Sequence, residues 1–129
     1  MLRGETNAHR EFAYGLHNNL PEGPRYPIRS ITDGKFRYIH NLMPQRIYIE
    51  KHLMGGGRLN NPYWATWMGD DPMKLPSAYR HIERYMRRPA EQLYHSVDDT
   101  YEMENLEVDD GYAEIIAKLR AALDAWMQE

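Results

Sequence analysis

The chain has 129 residues, a 42% hydrophobic share that includes ten Tyr, three Trp and eight Met, and a formal net charge of -3, which reads as one folded domain over 1–129 rather than a disordered chain. The total lacks the Lys and Arg excess of a phosphate-binding surface, so no nucleic-acid partner is expected; no apolar run approaches the roughly 20 residues that span a bilayer, so no membrane partner is expected either. The sequence has no cysteine, which removes disulfides, thiolate metal sites and cysteine nucleophiles together.

In chain order, the start MLRGETNAHREF carries no apolar segment of signal-peptide length. EFAYGLHNN (11–19) opens as a β-prone run and breaks into a loop containing Asn18, Asn19, Pro21, Gly23 and Pro24. The clearest signal is YPIRSITDGKFRYIHNL (26–42), where two β-prone runs flank Asp33 and Gly34. Asp-Gly favours a two-residue hairpin turn because both positions tolerate positive φ. Alternation puts Ile28, Ser30 and Thr32 opposite Arg29 and Ile31 on the first strand, and Phe36, Tyr38 and His40 opposite Arg37, Ile39 and Asn41 on the second.

From 43 to 74 the patterning fades into a long loop region. RIYIE (46–50) fits an extended piece, GGGRLNNP (55–62) is loop by composition, and Trp64 and Trp67 in YWATWM are spaced as one helical turn would place them. PSAYRHIERYMRR (76–88) predicts a helix with Tyr79, Ile82 and Met86 on one stripe, stopped by Pro89. EQLYHS (91–96) suits a further strand. The terminal stretch 109–129 predicts a helix with Tyr112, Ile115, Ile116, Leu119, Ala122, Leu123 and Trp126 on one stripe and Asp109 or Asp110 as N-cap. The sum is an α+β domain: a small antiparallel sheet of about four strands, a hairpin at its centre, and helices on one face, in two layers.

The chemical candidates are few. The acidic run VDDTYEMENLEV has neither the ligand spacing nor the central Gly of an EF-hand, and Asp98 and Asp99 suit a turn whose side chains accept backbone N–H bonds. The six histidines form no HxxxH or HxH pair, so no metal site is expected. His40 and His95 read as hydrogen-bonded sheet histidines, whereas His17 lies where a strand enters a Gly- and Pro-punctuated loop beside Asn18 and Asn19, a place where side chains converge on ligands or are merely solvated. Trp64 and Trp67, with Tyr63 and Met68, fit either a sugar-stacking platform or a satellite hydrophobic cluster under a loop. Ser30, Ser77 and Ser96 lie in no nucleophile elbow, and GGG lacks the Lys and Ser or Thr of a phosphate-cradling loop. No catalytic residue is expected in this chain.

FAYGLHNN, YPIRSITDGKFRYIHNL, YWATWM, RRPAEQLYHSVDDTYEMENL and the terminal helix, in that order, resemble the C-terminal portion of type I sulfatases. The resemblance is to the heparan N-sulfatase (sulfamidase)-like branch and its bacterial arylsulfatase-type relatives, and it covers almost the whole chain. His95 departs where such sequences carry Asp, and Thr100 where they carry Pro. The resemblance implies four antiparallel strands with a long helix across them, and makes the acidic stretch the connector between the last strand and that helix, with Leu93 and Leu106 as buried anchors. It also implies that 1–10 is a linker from an N-terminal catalytic domain, which would hold a formylglycine and a calcium ion.

This chain has no cysteine and no SxPxR, so it is expected to be inactive alone and to need no cofactor of its own. By the same resemblance, His17, Asn18 and Asn19 shape one wall of a pocket for a sulfated glycan, the partner is the catalytic domain, and the location is periplasmic or secreted. Two other functions remain open: a free-standing module that binds sulfated glycan through Trp64, Trp67, Arg25, Arg29, Arg37 and Arg58, and a self-associating homo-oligomer.

Overall fold

The computed structural model describes residues 10–21, 23–50, 54, 62–69 and 73–128, with only the backbone described for Pro62 and Tyr63. Strands β1 (Ala13–His17), β2 (Ile28–Thr32), β3 (Phe36–Asn41) and β4 (Glu91–His95) form one antiparallel sheet in the order β1-β2-β3-β4. Helices α1 (Pro62–Gly69) and α2 (Pro76–Met86) lie in the excursion between β3 and β4, and α3 (Ala113–Gln128) follows the sheet. This is the expected α+β fold. Its contacts gather the described residues into two compact units, one from 10–16, 29–40 and 91–128, the other from 17–28 and 41–90.

In the first unit the period-2 alternation of the strands meets the 3.6-residue period of α3. Ile31, Phe36, Tyr38 and Leu93 bury against Ile116, Leu119 and Leu123, with Ile115, Ala122 and Trp126 packed around them. Each such side chain contributes about 1.5–3 kcal/mol of apolar burial. The Trp126 indole also stacks on the Tyr14 ring, with centroids 4.8 Å apart and planes 10° from parallel. Register sets Tyr38 opposite Leu93 and Phe36 opposite His95, so the two buried strands present their large side chains to the same helix. The stripe read from the sequence is the one that packs.

Two boundaries differ from the sequence reading. The hairpin turn uses three residues, Asp33 to Lys35, rather than two, and Gly34 alone among them has positive φ (91°). The Asp33 carboxylate explains the extra residue, because its Oδ1 accepts from the N–H groups of both Lys35 (2.9 Å) and Phe36 (2.8 Å) and folds the turn around itself. The terminal helix begins at Ala113 rather than 109. Before it lie two 3₁₀ turns, Leu106–Val108 and Asp110–Tyr112. Asp109 caps the second by accepting from Gly111 N–H at 2.9 Å, and Tyr112 N–H bonds Asp109 C=O at 3.0 Å. The expected cap therefore acts on the turn before the helix.

The acidic stretch is a connector, as expected. Asp99 accepts from Met103 N–H (2.9 Å) and Glu104 N–H (2.8 Å), and Asp98 N–H donates to His95 Nδ1 (3.1 Å). The chain then returns Asn105 to the free edge of β4. Asn105 Oδ1 accepts from Leu93 N–H at 2.9 Å, and its amide reaches Glu91 C=O at 3.4 Å, so one side chain takes the place of a neighbouring strand.

In the second unit the region read as long loop holds α1, and Trp64 and Trp67 lie on it three residues apart. Pro76 opens α2, whose last turn is closed by Arg87 N–H on Glu83 C=O (2.7 Å). On α2, Ile82 is buried and Ala78, Tyr85 and Met86 are half-buried, whereas Tyr79, expected on the same stripe, is exposed. α2 packs against α1. The GGG stretch, 55–57, lies outside the described residues.

Candidate functional site

Of the residues singled out for ligand contact, Arg29 and Arg37 lie in the first unit, and His17, Asn18, Asn19, Arg25, Trp64 and Trp67 in the second. Its loop leaves β1 at His17 and is closed by Tyr26 N–H on Asn18 C=O (3.0 Å) and Gly23 N–H on Asn19 C=O (2.8 Å). Asn19 sits in the left-handed region (φ 59°), which Asn tolerates better than most residues. Its side chain is 1% exposed and its amide donates to Pro24 C=O and Ile49 C=O, both at 2.8 Å. Asn19 is thus the clamp that ties the loop to the 47–50 segment.

Gly23 makes the clamp possible: a Cβ there would lie 2.5 Å from Ile49 O and 2.7 Å from Asn19 Nδ2. Asn19 Oδ1 is buried with no hydrogen-bond partner among the described residues. Asn18 and His17 are exposed on the same turn, and His17 Nε2 lies 3.5 Å from Tyr48 Oη, the outer limit of a hydrogen bond.

From His17 a series of ring contacts runs through the unit. His17 meets Tyr48 edge-on (6.3 Å between centroids), Tyr48 meets Tyr26 (5.3 Å) and Tyr85 (5.7 Å), Tyr85 meets Trp64 (5.8 Å), and Trp64 meets Trp67 (6.1 Å). The loop triad and the tryptophan pair, read separately in the sequence, are joined by Tyr48 and Tyr85. Arg88 sits over this series, its guanidinium carbon 4.0 Å from the Tyr48 ring centre and 5.3 Å from that of Tyr85, with Nε donating to Tyr85 C=O at 3.3 Å.

Burial pushes the Tyr26, Tyr48 and Tyr85 hydroxyls above the ordinary phenol value, and the Arg88 charge pulls each back only in part. All three stay protonated near neutral pH. Tyr26 Oη is buried and has no partner among the described residues. Phenol hydroxyls beside a fixed guanidinium present donors to an oxygen-rich, acceptor-bearing ligand.

The sequence pattern did not reveal Tyr48 as the neighbour of His17, or Tyr85 and Arg88 as neighbours of Tyr48. Tyr48 and His17 are 31 positions apart, beyond any local period; only the spacing of Tyr85 from Ile82 hinted at a packed face.

Trp64, Trp67, Ala78, His81, Ile82 and Tyr85 line a groove of about 360 Å³ between α1 and α2. Arg25, Arg29 and Arg37 are not among its lining residues, and Arg37 instead pairs with Glu102 at 3.0 Å; Arg58 lies outside the described residues. The groove is an aromatic slot with one imidazole edge. Among the described residues no group of three or more His, Asp or Glu side chains is arranged to hold a metal ion.

No family model matches the chain. Over 108 residues it is 28% identical to the human (Homo sapiens) protein N-sulphoglucosamine sulphohydrolase, a match that takes in 81% of this chain and 20% of that protein. The chain therefore spans about a fifth of the length of the curated relative it matches. The similarity supports a sulfatase-like relationship without fixing a branch.

Proposed function

We propose that this chain is the C-terminal module of a sulfatase-type hydrolase, inactive alone, which braces a catalytic domain and presents the His17–Asn18–Asn19 loop as one wall of the pocket for a sulfated glycan. The observation that carries the reading is the likeness across four fifths of the chain to one fifth of a sulphohydrolase. The geometry suits the role: Asn19 and Gly23 hold the loop rigid while His17 and Asn18 remain exposed on it. Tyr48, against His17, and Arg88, over the Tyr48 ring, supply the kind of donors a sulfate or sugar hydroxyl needs.

Complex formation with the sulfatase catalytic polypeptide of the same organism tests it. Co-purification as a stoichiometric complex is expected. A chain that stays separate from every such polypeptide at micromolar concentration would contradict the reading.

A further inference from the structure

His95, the last residue of β4, holds the start of the acidic connector with both nitrogens of its ring. Nδ1 accepts from Asp98 N–H at 3.1 Å, and Nε2 lies 3.3 Å from Asp98 Oδ2. A neutral imidazole accepts on one nitrogen and donates from the other, so the bond at Nδ1 places the ring proton on Nε2, toward the carboxylate. The side chain is 15% exposed, which leaves it open to proton exchange with water, and the Phe36 ring meets it edge-on with centroids 4.7 Å apart.

The charged and titratable groups around this ring come from three sides. Asp98, Asp99 and Glu104 of the connector and Tyr112 before α3 line a hollow of about 160 Å³ beside it. From the turn before β3, Lys35 Nζ lies 5.2 Å from the centre of the Phe36 ring. An imidazolium formed here has carboxylates for neighbours, but it has lost its acceptor: Nδ1 becomes an N–H that faces the Asp98 N–H. The Asp98 side chain is 80% exposed, so water screens its attraction, which is too weak to hold two donors face to face. Either the ring turns or the Asp98 peptide moves. In both cases the Asp98 N–H gives up its partner.

The rest of the connector is fastened without the ring. Asp99 N–H donates to His95 C=O at 2.8 Å, and the Asp99 carboxylate accepts from Met103 and Glu104 N–H groups. A change at Nδ1 therefore acts on the Asp98 peptide first.

We infer that His95 is a proton-operated latch on the connector between β4 and α3: the neutral ring holds the Asp98 peptide, and the protonated ring releases it while the Asp99 turn beyond stays closed. The inference stands apart from the sulfatase reading and does not need it.

Nuclear magnetic resonance on the full chain between pH 8 and 4.5 tests it, with the His95 ring and the backbone amides followed together. As His95 takes up a proton, the Asp98 amide resonance is expected to move in step with it. Asp98 exchange, relative to the intrinsic rate at each pH, should rise about tenfold while Met103 and Glu104 keep their protection. His95→Asn, whose Oδ1 stands where Nδ1 stood and does not titrate, should keep the Asp98 amide protected across the range. An Asp98 amide that keeps its protection once the ring is protonated overturns the inference, as does a ring that stays neutral down to pH 4.5 or an Asp98 response that persists in His95→Asn.

Discussion

The hydroxyl of Tyr38, a residue with no exposed surface, donates to Glu91 Oε1 at 2.8 Å. Arg120 on α3 completes the arrangement, its Nε donating to the same hydroxyl at 3.3 Å and its Nη2 pairing with Glu91 Oε2. One phenol at the centre of the sheet thereby ties β3, β4 and α3 together through polar contacts at the border of the apolar core. Burial, with the Glu91 carboxylate adding to it against the opposing pull of Arg120, pushes the Tyr38 pKa up to about 12.

The sign of the resulting pH dependence follows from linkage. A folded-state pKa above the ordinary phenol value of about 10 makes the contribution complete below pH ~10 and lost as pH rises toward 12. Urea midpoints measured from pH 8 to 11.5 should fall at the alkaline end for the wild type. Tyr38→Phe should lose about 1 kcal/mol at neutral pH and show a flatter alkaline limb. An unchanged limb would mean that Tyr38 does not titrate with folding.

Acid stability is governed partly by Asp33. Burial, the largest single influence, works to raise its carboxyl, but the Phe36 and Lys35 N–H donors, with the Lys118 charge farther off, outweigh it and hold the pKa below the ordinary value. A depressed pKa contributes stability above the unfolded value near 4 and loses it as pH falls through the folded one. Asp33→Asn should flatten the decline in thermal midpoint between pH 5 and 2; an unaltered decline would place the acid sensitivity elsewhere.

Asn105→Ala should remove the side chain that pairs the outer edge of β4. Leaving Leu93 N–H without its partner costs about 1–3 kcal/mol, and the bared edge favours aggregation. Thermal denaturation with light scattering reads both effects. Asn105→Asp, which keeps one acceptor but not the amide donor, should fall between.

The Asn19 clamp predicts a local effect. Asn19→Ala removes the buried amide that donates to the Pro24 and Ile49 carbonyls and should destabilise by about 1–2 kcal/mol, with loss of hydrogen-exchange protection at Gly23 and Tyr26 first. Asn19→Gly, which keeps the left-handed conformation, should lose less. Equal losses would show that backbone conformation contributes nothing at this position.

The sheet, the hairpin and the terminal stripe were legible because each rests on local periodicity: two residues for Phe36 and Tyr38, three and four for Ile116, Leu119 and Leu123. The acidic turn was legible because Asp side chains act on backbone a few residues away. What was not legible depended on distant segments. Tyr48 finds His17, Tyr85 and Arg88 only after the chain has folded back, and Asn19 is explained by Ile49, thirty positions on. The turn length was misread because Asp-Gly alone does not reveal that Asp33 also accepts from Phe36. On α2 only Tyr79 was misplaced, because the pattern of one helix does not say which neighbour it faces.

As proposed, this chain contributes a pocket wall to chemistry carried on another polypeptide. Sulfate release from a sulfated oligosaccharide by the catalytic polypeptide, with and without this chain, tests it most directly. No release by the chain alone is expected, with release or a large gain when both are present, and a raised KM with little change in kcat for His17→Ala in the pair. Release by the purified chain alone, or catalysis indifferent to its presence, would contradict it.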